Sequence, residues 1–442
     1  MNYINLFNIA KEKNIEELEV YFSRSGSTSI KLFDSEVEEY KVSDVSGISL
    51  KGKYNGKAGS VYTEEISEEK AVKLLDQLIL NASVIETNEE FSLFEGSKNY
   101  PEVRTFNGDI KNIETTAKIE LLKKIDEKVR SYENIDTIQA LVFVESETET
   151  KIVNSKNLNL GKKDNSILVY CYAAAKKGDE VTTGGDFILT NDINSVDVEK
   201  FAEKVALNAT NKLGGEKADS GKYKTLLSNE VAADLLEVMS SSFSAENVQK
   251  GLSMLEGKVE NNIFSKNITI VDKPLVDFGP NSTAFDDEGV AASNKIIVEN
   301  GVLKTFLHNR KTAKKDGVQS TGNGFKAGFK GLVAVRPTNF SIENGELSLE
   351  ELTAKVKDGI YIDDLSGIHA GLNPVTGDFS LQAGGFLIKD GKLGQPINLI
   401  TVAGNFFELL KDVNEVGSDF KYGGSGVGSP SLFINELSIS GK

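Results

Sequence analysis

The sequence is short of the residues that build covalent frameworks and transition-metal sites. A single cysteine, Cys171, excludes an internal disulfide framework and fits a reducing cytoplasm. The only two histidines, His308 and His369, lie far apart in the chain and offer no short metal-ligand spacing. No apolar run approaches the ~20 residues that a membrane span needs, which excludes a transmembrane helix. The stretch from Met1 to Val20 lacks a basic leader followed by an apolar run, so no signal peptide is expected and the cytoplasm is the expected location. Basic residues are also in deficit, with 50 Lys and Arg against 66 Asp and Glu and a net charge of −16. Such a field repels phosphate backbones, because nucleic-acid affinity is carried largely by basic residues. Arg310, Lys311, Lys314 and Lys315 are the closest thing to a basic patch and read as a solvated face.

What is present is an ordinary soluble balance, 39% hydrophobic and 26% charged, in a chain of 442 residues that is too long for one core. At ~150 residues per domain the length suggests two or three units. Residues 1–110 read as an N-terminal α+β module. Leu18 to Ser23 and Ser29 to Phe33 form strands split by a turn at Ser25-Gly26, and Val42 to Lys51 and Ser60 to Thr63 follow. Ser67 caps a helix whose Ala71, Leu74, Leu75 and Leu78 share one face.

Residues 111–215 read as a central α+β module. A helix from Thr116 to Ser131 precedes antiparallel-looking strands at Thr137–Glu145, Glu149–Asn154, Ser166–Ala175 and Val181–Leu189, and a helix from Val196 to Leu213 closes it. Cys171 falls in mid-strand as a structural thiol. The polar, glycine-rich Gly214 to Gly221 reads as a linker. Residues 222–442 then form a strand-dominated domain with long glycine-rich loops. It opens with a strand at Lys224–Leu227 and a helix at Asn229–Phe243. Asn300-Gly301 and Asp390-Gly391 are hairpin turns, and a helix at Ala403–Val413 precedes the tail.

The densest signal is Ile362 to Ser380, IDDLSGIHAGLNPVTGDFS, followed by a largely apolar run from Leu381 to Ile388. Glycine at that density serves backbone positions needing φ > 0 or close approach, so this is a shaped loop feeding a strand. The stretch NPVTGDFS, with the ending GVGSPSLFINELSISG from Gly426 to Gly441, resembles the C-terminal domain of the TldD/PmbA family. Members are described as metallopeptidases and as modulators of DNA gyrase. The resemblance is strong over 222–442 and weak over 1–215, and within the family it points to the PmbA (TldE) branch.

In the TldD branch the helix opening this domain resembles a zincin helix, a His-Glu pair with a second His just over one turn on. Two such imidazoles reach one metal while the Glu acts as general base. Here the matching positions are Asn229, Glu230 and Asp234, and the tail from Gly423 to Phe433 has no cysteine to add a ligand. Asn is a poor zinc ligand and one Asp does not replace the set, so no metal or other cofactor is expected in this chain. Asn229 is expected to cap the helix. The acidic triplet Asp286, Asp287 and Glu288 matches no calcium loop and reads as a solvated turn.

The resemblance implies a non-catalytic subunit that binds extended peptide and stabilises a zinc-bearing TldD-like partner in a heterodimer. The peptide-binding candidates are His369, Gly371, Asn373, Pro374, Thr376, Gly377 and Asp378 in the loop, with Gly424 and Gly426 in the tail. Two alternatives stand beside it. One is an autonomous hydrolase using Glu230 and Asp234. The other is a homodimeric peptide-binding module without proteolysis. No direct nucleic acid or membrane partner is expected.

Overall fold

The computed structural model describes residues 2–84 and 92–442. Helix α1 (Tyr3–Glu12) leads into strands β1 (Ile15–Phe33), β2 (Glu36–Tyr54) and β3 (Lys57–Thr63), and then into α2 (Glu68–Val84). Next come α3 (Thr115–Arg130), β4 (Ile135–Asn154), β5 (Asn159–Lys177), β6 (Glu180–Thr190) and α4 (Val198–Thr210). All six strands pair antiparallel in one sheet, in the order β3-β2-β1-β4-β5-β6. The β1–β4 ladder carries this sheet across residue 110, joining strands from both sides.

One face of the sheet is covered twice. Leu6 and Ala10 of α1 and Leu75 and Leu78 of α2 pack on Leu18, Val20, Ile48 and Leu50. Leu122, Ile125 and Val129 of α3, with Phe201 and Val205 of α4, pack on Ile30, Phe143 and Val169. Leu18, Val20 and Ile30 all have even numbers on one strand, which puts both helix layers on the same side. Cys171 lies in the second core, where burial pushes its thiol up to about 12. The opposite face, through Tyr21 and Ile152, meets Phe285 and Phe329 from the C-terminal part of the chain. Gly47 makes that docking possible, because a Cβ there would lie 2.5 Å from the Phe329 ring.

The C-terminal part begins with β7 (Gly221–Leu227) and α5 (Asn229–Met239). From β7 the pairing runs in succession through Gly359–Ser366, Asp378–Lys389, Lys392–Asn405 and Leu432–Ser440, which pairs with β7 in turn. The pairings close into a five-stranded barrel. A smaller sheet runs from Val302–Leu303 through Lys295–Glu299, Ile270–Asp272, Phe340–Ile342 and Val427–Ser429 to Lys421–Tyr422. Leu235, Leu236 and Met239 of α5 share one core with both sheets.

The chain is α+β with antiparallel sheets and a strand-rich C-terminal region, as the sequence suggests, but local details differ. Ser25-Gly26 makes no turn. It lies inside β1, where pairing with β2 on one side and β4 on the other overrides the turn signal. The reversal comes at Asp34 and Ser35, both with positive φ. The two strands expected over 137–154 are likewise one strand, β4. The expected helix at Ala403–Val413 is only Phe406–Lys411, because Ala403 to Asn405 finish a barrel strand. The stretch read as a linker is partly tied down: Glu216 bridges Ile397, and Ser220 donates its N–H to the Lys442 carbonyl.

Candidate functional site

Helix α5 starts where β7 leaves the barrel, so its first turn is fixed by the barrel wall. Ser228, not Asn229, is the cap: its hydroxyl accepts the Val231 N–H at 3.1 Å. Asn229 is already helical and instead donates its side-chain amide to the Asp419 carbonyl at 2.6 Å. Glu230 Oε1 accepts from Lys204 Nζ at 2.9 Å and from Lys421 Nζ at 2.7 Å. Both lysines also reach Asp186 of β6, Lys421 at 2.7 Å and Lys204 at 3.3 Å. Lys421 further lies 4.9 Å from the centre of the Phe187 ring. Two lysines and two carboxylates thus tie β6 and α4 to α5 and the strand Lys421–Tyr422.

This cluster fixes the charge state of Glu230. Burial raises its carboxyl pKa, but the charge of Lys204 and the hydrogen bond from Lys421 outweigh burial and hold it below the usual range. Lys421 responds in kind: burial disfavours its charge, yet hydrogen bonds to Asp186 and Glu230 raise it overall. A turn further on, Asp234 goes the other way. Burial, with the charges of Glu237, Glu230 and Asp364, lifts its carboxyl to about 6, against the opposing pull of His369. Asp363 on the neighbouring barrel strand is also lifted to about 6, chiefly by burial, and its Oδ1 has no hydrogen-bond partner among the described residues.

The glycine loop is built around Asn373, whose Oδ1 accepts the N–H groups of Val375 and Thr376 while its backbone N–H bonds the Asp378 carbonyl. Gly377 has φ +80° and hands its carbonyl to the Phe406 N–H. Pro374 accepts from Ser242 Oγ at 3.0 Å just beyond α5, and Asn405 Nδ2 holds both the Thr376 carbonyl and Asp378. His369 and Gly371 belong to the short helix Ile368–Gly371, with His369 exposed. In the tail, Gly426 has φ +83°, and Asn281 Nδ2 donates to the Ser425 carbonyl at 2.5 Å.

A cleft of about 1670 Å³ lies between the edge of the first sheet and the C-terminal part. Asp186 to Thr190 of β6, Lys204 of α4, Glu237 of α5, Ser240 just after it, Lys421 just before the tail, and Ser425 and Val427 of the tail line it. The loop from His369 to Ser380 is not part of its wall, nor are Asn229, Glu230 and Asp234. At one end Lys162 Nζ lies 3.0 Å from Asp287, between the rings of Phe285 and Phe325 at 5.3 and 5.4 Å. The acidic triplet is therefore not a solvated turn: Asp286 is 0% and Asp287 5% exposed. Asp286 accepts the N–H groups of Glu288, Val290 and Gly324, while burial and the Glu288 charge still lift its carboxyl to about 7.

Sequence reasoning missed Asp186, Lys204 and Lys421, which arrive from three segments with no shared spacing. Among the described residues, no group of three or more His, Cys, Asp and Glu has the arrangement to hold a metal ion, and no helix is long and apolar enough to cross a membrane.

Residues 18–82, 108–213 and 220–441 match, in order, domain 1, the central domain and the C-terminal domain of the PmbA/TldA metallopeptidases. The chain is 30% identical to an uncharacterized protein of Methanocaldococcus jannaschii over 91% of each chain. A Thermotoga maritima protein described as a proposed modulator of a DNA gyrase has the same fold, with a TM-score of 0.93, 31% identity and 99% of each chain covered. TldE of Thermococcus kodakarensis gives a TM-score of 0.90 at 26% identity, covering 99% of this chain and 100% of its own. Matched in all three domains by sequence and along nearly its full length by fold, the chain belongs to the PmbA/TldD family.

Proposed function

We propose that this chain is a PmbA/TldE-like subunit of a TldD/TldE-type metallopeptidase system acting in the cytoplasm on unfolded peptides or peptide precursors, without a zinc site of its own. The bonding of Glu230 carries this reading. A general base needs a lone pair turned toward water, and a zinc site needs donors that tolerate a divalent charge beside them. Glu230 instead accepts from two ammonium groups, whose charge opposes a cation at the same place. Asn229 spends its amide on Asp419, and Asp234 sits among carboxylates. These donors do not fit zinc, and no metal-dependent step is assigned to this chain. Zinc would belong to a TldD-like partner in a heterodimer, self-association being the other assembly. The cleft is the place for an extended peptide.

The test is metal analysis of the untagged chain purified without chelator, run beside a peptide-cleavage assay with and without a TldD-like chain. The expected result is zinc well below one per chain, no cleavage alone, and cleavage with the partner. Near-stoichiometric zinc, or cleavage by this chain alone that Glu230→Gln abolishes, would overturn it.

A further inference from the structure

We infer that the cleft selects peptides by a large apolar side chain seated on the ring of Phe278, and turns away lysine and arginine at that position. Phe278 is the third residue of a turn in which the Gly279 N–H donates to the Val276 carbonyl at 3.0 Å, and its φ is +55°. Glycine or asparagine usually stands there, because a bulky side chain at positive φ is strained. A clamp holds the strain in place. Asp277 accepts the backbone N–H and the Nε–H of Arg104 at 2.9 and 2.8 Å, and the Phe278 N–H donates to the Arg104 carbonyl at 2.7 Å. The strained residue does not enter a core: Phe278 lines the cleft and is 37% exposed, against 4% for Phe285 in the same wall. Strain of this kind gathers at ligand clamps.

The rings around the cleft share a second feature, which sets the chemistry of the guest. Phe187, Phe278, Phe285 and Phe325 all line it, and each already has a cation of the protein against it. Lys421 lies 4.9 Å from the centre of the Phe187 ring and Arg104 5.2 Å from that of Phe278, while Lys162 stands between Phe285 and Phe325. Those cations are paired in turn, Lys421 with Asp186 and Glu230, Arg104 with Asp277, and Lys162 with Asp287. A ring attracts a cation through its negative face. Here that attraction is already taken up and the neighbouring carboxylates are neutralised, so an incoming ammonium or guanidinium loses water and gains little. An apolar side chain has no such cost and gains by covering the exposed ring.

The guest is therefore a peptide segment that carries phenylalanine, leucine or a side chain like them. Folded proteins bury such side chains and unfolded ones expose them, so the Phe278 shelf gives the cleft a physical criterion for an unfolded peptide. The selection rests on the peptide-handling role proposed above for its class of ligand and depends on no metal.

The experiment measures fluorescence anisotropy of the full chain with fluorescein-labelled nonapeptides of alternating alanine and threonine, whose central residue is phenylalanine, alanine or lysine. The phenylalanine peptide is expected to bind about tenfold tighter than the alanine peptide, and the lysine peptide no tighter than alanine. Phe278→Ala is expected to bring the phenylalanine peptide within about twofold of alanine and to leave the other two unchanged. Phe278→Gly should do the same while its thermal midpoint stays level or rises, because glycine carries no strain at this φ. Equal binding of all three peptides, no binding at all, a lysine peptide that binds as well as phenylalanine, or full discrimination in both variants overturns the selection. A clear fall in the midpoint of Phe278→Gly overturns it too, since the ring would then be held for packing and not for a guest. Zinc content and cleavage report separately on the subunit role: a metal-free chain that binds all three peptides alike sinks the selection alone, and a zinc-bearing chain that prefers phenylalanine sinks only the non-catalytic reading.

Discussion

Lys421 Nζ stands 2.7 Å from both Glu230 Oε1 and Asp186 Oδ1, so the strand Lys421–Tyr422 joins the first turn of α5 to the edge strand of the other sheet. Asp186 is nearly buried, with 9% of its side chain exposed, and losing Lys421 leaves it, among the described residues, the longer contact to Lys204. Lys421→Met is expected to cost about 2 kcal/mol, read by urea denaturation. Asp186→Asn in the Lys421→Met background should cost much less than it does alone. Additive effects in this double-mutant cycle would show that the contact is not an energetic unit.

Asp363 gives the protein a pH signature. Its folded-state pKa, raised to about 6 by burial, exceeds the ordinary aspartate value, so the folded chain holds a proton that the unfolded chain has released. The contribution of Asp363 to stability is thus fully present below about pH 4 and is lost as pH rises toward about 6. Asp363→Asn should therefore be more stable than the parent by about 1 kcal/mol at pH 7.5, with the difference vanishing near pH 4. Thermal melts across that range check this, and a gap that widens on acidification would contradict it.

Asp286, whose carboxyl burial also raises, differs from Asp363 in that its two oxygens accept three backbone N–H groups. Asp286→Ala strands those donors away from water, at an expected cost of about 3 kcal/mol or more. Chemical denaturation would register it as a large drop in midpoint, and a loss under 1 kcal/mol would mean that water replaces the carboxylate.

Gly377 separates architecture from ligand contact in the loop. Its φ is +80°, and a Cβ there would lie 2.8 Å from the Phe407 ring. Gly377→Ala should cost about 1–2 kcal/mol of stability whether or not peptide is present. Unchanged stability with impaired peptide binding would instead make the loop part of the binding surface.

The sequence was legible where the determinants are local. Ala71, Leu75 and Leu78, or Ile125 and Val129, repeat at helical spacing, and the helices stand where that spacing puts them. Asn300-Gly301 and Asp390-Gly391 turn as hairpins, each with positive φ at both residues. Legibility failed where a distant partner decides. Ser25-Gly26 is a turn signal overruled by strands on either side, and Asp286 is buried because the Gly324 N–H, 38 residues away, meets its carboxylate. That neither Asn229 nor Asp234 is a histidine was plain from the sequence. The lysines around Glu230 were not, since Lys421 lies 191 residues from it and only the assembled sheets bring them together.

The barrel has a consequence for how the protein is made. Its first strand, β7, must wait for Leu432–Ser440, more than two hundred residues later, before both of its sides are paired. A ribosome delivers the first sheet complete while the barrel still lacks its closing strand. The two halves therefore mature at different times: the first can settle during translation, and the second closes late and slowly through a contact between remote segments. Until then the edge at Leu226 and Leu227 is bare, which makes this interval the one in which a nascent chain most needs a chaperone.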